Sequence, residues 1–139
     1  MRPTLTHCAF HVRDMDATIA FYERFCGLTV VRDEMQGPDQ RAVWMAEPGR
    51  EQAFVFVFLT GGRRQQPAPG DMTHYGFAVD RREDVDRVAE LARADGCLCR
   101  EPQELPFPVG YLCALEDPDG YVIEFSFGQP LGPGADDLA

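Results

Sequence analysis

With 139 residues, 45% of them hydrophobic and 26% charged, the chain is long enough for one domain with a true core, or for two small halves that share one. Its net charge of −10 argues against nucleic acid and anionic membranes as partners, because phosphate binding needs a basic face.

The first element is a strand over residues 4–12, containing "LTHCAFHV". Asp14 supplies an N-cap, and Met15, Ile19, Tyr22 and Phe25 follow at helical spacing up to the stop at Gly27, so the pattern predicts a helix over 15–26. Strands follow at 28–35, 41–46 and 53–60. Residues 61–72, "GGRRQQPAPGDM", carry Gly and Pro without apolar periodicity and read as a linker. A strand then begins at "THYGFAVD", and Val85, Val88, Ala89 and Ala92 form one face of a second helix that Gly96 ends. "CLCREP", "YLCALE" and "YVIEFSF" read as three further strands. The tail, 129–139, is rich in Gly, Pro and Asp and is expected to be disordered.

Both halves therefore read β-α-β-β-β. "THCAFHV" (Thr6 to Val12) nearly repeats as "THYGFAV" (Thr73 to Val79), and the two histidines stand 74 − 7 = 67 residues apart. The same offset sets "FVFVFLTG" (54–61) on "YVIEFSFG" (121–128) without a gap. The chain is two copies of one module, at about 4–60 and 73–128.

His7 and His74 occupy the same place on the first strand of each module, and Glu124 lies on the last strand of the second, where the first has Val57. First and last strands of such modules could bring two imidazoles and a carboxylate together. That set, with positions left open, suits Fe(II), and also Mn(II), Ni(II), Co(II) or Zn(II). Burying Glu124 beside Val122, Ile123 and Phe125 is costly without a partner, and an edge-strand glutamate facing solvent remains the plain alternative. His11 shares the parity of His7, but four strand residues span ~13 Å, too far for both to bind one ion. A substrate contact or an ordinary structural role is open to it.

At these residues the sequence resembles the vicinal-oxygen-chelate superfamily: glyoxalase I, extradiol dioxygenases, methylmalonyl-CoA epimerase, fosfomycin thiol transferases and bleomycin-binding proteins. The resemblance covers most of residues 4–128 and is carried by "THCAFHVRDMDATIAFYERFCGL" and "LEDPDGYVIEF". It implies an α+β fold in which the two βαβββ modules form a U-shaped, eight-stranded mixed sheet around a metal. His7, His74 and Glu124 each fall on a family metal position. It further implies one divalent ion per site, Fe2+ or Mn2+ ahead of Ni2+, Co2+ and Zn2+, a small substrate chelated through two neighbouring oxygens, and a homodimer.

The departures from individual activities are specific. Val57, flanked by Phe56 and Phe58, stands where glyoxalase I has a further acid. Ala114 stands where extradiol enzymes carry a Tyr, and no His lies between His74 and Glu124. Ala9 replaces a Thr of the fosfomycin enzymes, and "ELPFPVGYLCA" lacks their Ser-rich loop. The expected function is a metal-dependent enzyme, with dioxygenase-type chemistry ahead of lyase or isomerase chemistry for want of a protein base. A metal-free antibiotic-binding protein of the bleomycin-resistance type and a fosfomycin-type thiol transferase are the alternatives. Trp44 and Tyr111 lie on strands that would line the cavity, and with His11 they are candidate substrate contacts; core packing is the other reading of both aromatics.

Five cysteines without a CxxC pair read as small buried hydrophobes in a reducing compartment. No signal-peptide pattern is present, and no apolar run approaches the roughly 20 residues of a membrane span, so a cytoplasmic location is expected.

Overall fold

The computed structural model describes residues 1–63 and 66–131. It divides into two compact units, 1–66 and 67–139. Each has one helix and a four-stranded mixed sheet, which gives the expected α+β class and the expected β-α-β-β-β order. The eight strands are thus distributed over two sheets of four.

Unit 1 contains β1 (His7–His11), α1 (Met15–Cys26), β2 (Thr29–Gly37), β3 (Gln40–Ala46) and β4 (Val55–Leu59), with sheet order β1-β4-β3-β2. The first strand runs parallel to the last, and the other pairings are antiparallel. Asp14 caps α1 as expected, its carboxylate accepting the Ala17 N–H at 3.0 Å. Gly27 ends the helix in the left-handed region at φ 63°, and its N–H donates to the Tyr22 carbonyl.

The buried face of α1 differs from the expected stripe. Met15 and Tyr22 are buried with Thr18 and Phe21, while Ile19 and Phe25 are only half-buried. A 3.6-residue period allows either set, and packing decides between them. The Tyr22 ring lies 4.6 Å from Phe58, and Phe21 meets Tyr22 edge-on at 5.3 Å. Alternation in β4 therefore sends Phe56 and Phe58 toward the helix and Val55, Val57 and Leu59 to the other face.

Unit 2 contains β5 (His74–Ala78), α2 (Arg82–Asp95), β6 (Leu98–Leu105), β7 (Gly110–Glu116) and β8 (Val122–Phe127), in the order β5-β8-β7-β6. Val85, Ala89 and Ala92 bury one side of α2; two alanines on that side let the helix sit close to the sheet, with the Cys113 thiol 3.6 Å from the Val85 carbonyl. β6 runs three residues past the expected end, through Pro102. A proline is tolerated there because β6 is an edge strand, with a register shift between Arg100 and Gln103.

Both units repeat in register as well as in order. His7 pairs with Val55 and Ala9 with Val57; 67 residues later His74 pairs with Val122 and Gly76 with Glu124. The inner strands break step. Trp44 lies opposite Val57, but Glu124 lies opposite Ala114, so the offset there is 114 − 44 = 70. Residues 47–54 join β3 to β4, whereas only 117–121 join β7 to β8, a difference of 8 − 5 = 3.

The shorter connection is a tight turn built on Asp117. Its carboxylate accepts the N–H groups of Asp119 and Tyr121, each at 2.9 Å, and Gly120 takes φ 86°. Of the linker, Arg64 and Gln65 lie outside the described residues, and the rest of 61–72 forms neither helix nor strand. The tail expectation falls largely on 132–139, which also lie outside the described residues. The cysteines are all free; Cys113 is buried, Cys8, Cys26 and Cys97 are half-buried and Cys99 is exposed, against the expectation that all five are buried.

Candidate metal centre and unit 1 cavity

In unit 2 the parallel pairing of β5 with β8 places His74, Gly76, Val122, Glu124 and Ser126 on the sheet face away from α2. His74 Nε2 lies 3.5 Å from Glu124 Oε2. Each group's remaining polar atom is committed elsewhere. His74 Nδ1 lies 2.7 Å from the Met72 carbonyl oxygen. A carbonyl only accepts, so Nδ1 carries a proton and Nε2 is the ring nitrogen turned to the carboxylate. Glu124 Oε1 accepts a hydrogen bond from Gln129 Nε2 at 3.1 Å.

A ring nitrogen and a carboxylate oxygen therefore face each other across 3.5 Å at a glutamate that is only 7% exposed. A proton or a cation is needed between them. Two ligand atoms each about 2.1 Å from one ion stand roughly 3.0–3.4 Å apart for octahedral to tetrahedral angles, close to the spacing found. The donor set and its spacing fit a divalent metal.

His7 is the unit 1 counterpart of His74. It is exposed, with Nδ1 3.0 Å from the Thr6 hydroxyl. Among the described residues, no group of three or more His, Cys, Asp or Glu side chains is gathered closely enough to hold an ion. The pair brought together is His74 and Glu124.

On the corresponding face of unit 1 a cavity of about 510 Å³ opens over β1, β3 and β4. Its floor is apolar, with Ala9, Val55, Val57 and Leu59, and Trp44 and Phe54 form walls. Val57 holds the position that Glu124 holds in unit 2, so no carboxylate enters the floor. Trp44 is 37% exposed and lies under the Arg32 guanidinium, 5.4 Å from the ring centre; Arg32 is itself paired with Glu34 at 2.7 Å. His11 is half-buried, with its ring packed against Gly62, where a Cβ would come within 2.0 Å.

Tyr111 is placed differently from the expectation that it faces a cavity. Its hydroxyl donates to Asp86 on α2 at 2.6 Å, and Arg82 stacks 3.5 Å from the ring centre. It therefore lies on the helix side of the sheet, opposite to Glu124. An offset of 67 makes Tyr111 the match of Trp44, whereas the offset of 70 that holds at these strands makes Ala114 the match.

A family model described as the Glyoxalase/Bleomycin resistance protein/Dioxygenase superfamily matches residues 4–125. The chain belongs to that superfamily. Within it, this glyoxalase-superfamily chain is 53% identical over 138 residues to the uncharacterized protein PA2024 of Pseudomonas aeruginosa, covering 99% of this chain and 98% of the relative. It is 30% identical over 123 residues to a probable chloroplastic lactoylglutathione lyase of Arabidopsis thaliana, covering 86% of this chain but only 34% of that protein. The vicinal-oxygen-chelate fold is matched by a glyoxylase/bleomycin resistance protein/dioxygenase domain from Frankia sp. EAN1pec, at TM-score 0.73 and 22% identity, over 93% of this chain and 100% of that one.

Gln129 and the residues of the longer β3–β4 connection were not singled out from the sequence. The connection had a signal, the three residues by which "EPGREQAF" exceeds "DPDGY". Gln129 had none, since it sits in a stretch whose composition reads as tail.

Proposed function

We propose that the chain is a divalent-metal-dependent enzyme that binds a small substrate through two neighbouring oxygens, using His7, His74 and Glu124 as protein ligands. The observation that carries this reading is the His74–Glu124 pair. The imidazole nitrogen and carboxylate oxygen that face each other are both metal-ligand types, and Met72 and Gln129 hold the other polar atoms. An ion bound there supplies Lewis-acid polarisation of the substrate oxygens. Met72 fixes the imidazole tautomer, Gln129 keeps one carboxylate oxygen occupied, and three protein ligands leave positions for a bidentate substrate.

Iron or manganese and dioxygenase-type chemistry are favoured narrowly over glyoxalase-like lyase or isomerase chemistry. Val57 leaves unit 1 without the carboxylate base that proton transfer between neighbouring carbons requires. The similarity to a protein named probable lactoylglutathione lyase pulls the other way, at 30% identity. A homodimer and a cytoplasmic location belong to the same reading. The free cysteines are in keeping with the latter.

Metal content per chain, measured by mass spectrometry on protein purified anaerobically without chelator or affinity tag, tests the assignment. The expected result is close to one iron or manganese per chain, lost in His74→Ala and in Glu124→Gln with the fold retained. Full metal in either variant contradicts the site. A metal-free protein that takes up no Fe(II), Mn(II), Ni(II), Co(II) or Zn(II) moves the chain to the small-molecule binding class.

A further inference from the structure

The unit 1 cavity carries an inference about the kind of molecule that enters. Its floor is apolar where the second module has its carboxylate, and its wall is Trp44, the sole tryptophan of the chain. Arg32, its cross-strand neighbour, stands over the ring, and Glu34 already matches its charge. A flat, fixed, partly exposed indole over Val55, Val57 and Leu59 is a stacking platform for another planar group.

The rim is set by the longer β3–β4 connection, which brings Glu51 and Gln52 to the mouth. Arg50, the basic residue of that connection, is paired with Glu47 at 2.8 Å. Glu51 is held by backbone N–H groups, that of Gly49 at 2.8 Å, and these hydrogen bonds lower its pKa and keep it anionic. The residues lining the cavity include no Arg or Lys, and the chain as a whole carries −10. At the mouth, where Glu51 stands, an anionic tail would meet repulsion with no Arg or Lys of the lining to receive it.

We propose that this cavity receives the aromatic part of an uncharged or cationic substrate, with Trp44 as its platform and Glu51 as the residue that turns away anionic tails. The proposal rests on the enzyme reading above for the fate of the bound molecule, but on unit 1 alone for binding. It separates this chain from processing carboxylate-bearing thiol conjugates at this cavity.

Because Trp44 is the sole tryptophan, its fluorescence reports occupancy directly. The probes are 3-phenylpropylamine, 3-phenylpropionate and hexylamine, titrated into the purified full chain at physiological ionic strength. 3-Phenylpropylamine is expected to shift Trp44 emission saturably and to bind about tenfold more tightly than 3-phenylpropionate. It is also expected to bind more tightly than hexylamine, which has the charge without the ring. In Glu51→Gln the preference for amine over carboxylate falls below about threefold, whereas Glu83→Gln, an equal charge change on the exposed start of α2, retains it. Equal binding of the two phenyl probes, equal binding of hexylamine, loss of the preference in Glu83→Gln, or no emission change at saturating probe would each overturn the proposal. Metal content measured on the same sample separates the two ideas. Metal-loaded protein that ignores the probes loses only the subsite, and metal-free protein that prefers the phenyl amine keeps the subsite and loses the enzyme reading.

Discussion

At the scale of single residues, the proposed centre turns on what occupies the far side of His74 and of Glu124. Met72 and Gln129 leave His74 Nε2 and Glu124 Oε2 as the groups facing each other. Gln129→Leu removes the amide donor and lets the carboxylate rotate. The expected cost is about 10-fold in metal affinity, in line with the loss of an outer-shell hydrogen bond, with a Gln129→Asn variant intermediate. Titration calorimetry with Mn(II) measures it; unchanged affinity in Gln129→Leu would show that the carboxylate is oriented by the strand alone. His74 and Glu124 were legible in the sequence because each lies on a strand whose partner is repeated 67 residues away. Gln129 was not, because one side-chain hydrogen bond leaves no periodic trace. Tyr111 was named because its strand would line the cavity, and strand membership alone does not say which face a side chain takes; its contacts with Asp86 and Arg82 put it on the helix side.

At the scale of elements, order and type followed from punctuation and period, while the choice of buried face followed from packing. Asp14, Gly27 and Gly96 delimit their helices as the sequence led us to expect. The Phe21–Tyr22–Phe58 contacts select the face of α1. Phe58 is fully buried there, so Phe58→Ala is expected to destabilise unit 1 by about 3–5 kcal/mol, read from the midpoint of urea unfolding. A loss under 1 kcal/mol would mean that α1 is held by its other contacts.

The Asp117 turn gives a pH dependence with a definite sign. Burial raises its pKa to about 6, against the lowering effect of the turn's N–H groups. The folded chain therefore holds a proton that the unfolded chain releases near pH 4. Between about pH 4 and 6 this group makes stability fall as pH rises, and above 6 its stabilising contribution is gone. Asp117→Asn keeps an oxygen acceptor for the turn and cannot ionise. The variant's unfolding midpoint is expected to be flatter than that of the parent across this window. A parent chain already flat there would exclude a raised Asp117.

At the scale of the whole molecule, the chain is one module written twice, and its two copies have diverged in what their open faces carry. Unit 2 presents a histidine and a buried carboxylate, and unit 1 presents an indole over an apolar floor. The difference turns on Val57 and Glu124, which sit at identical register positions. Any valine codon becomes an acidic one, for aspartate or glutamate, by changing its second base from T to A. A single point mutation at position 57 would thus give unit 1 a carboxylate on the strand beside His7, at the expense of a dry floor. Two chemically distinct half-sites lie one nucleotide apart, so a gene of this design can trade shape recognition for an added acid without altering its backbone plan.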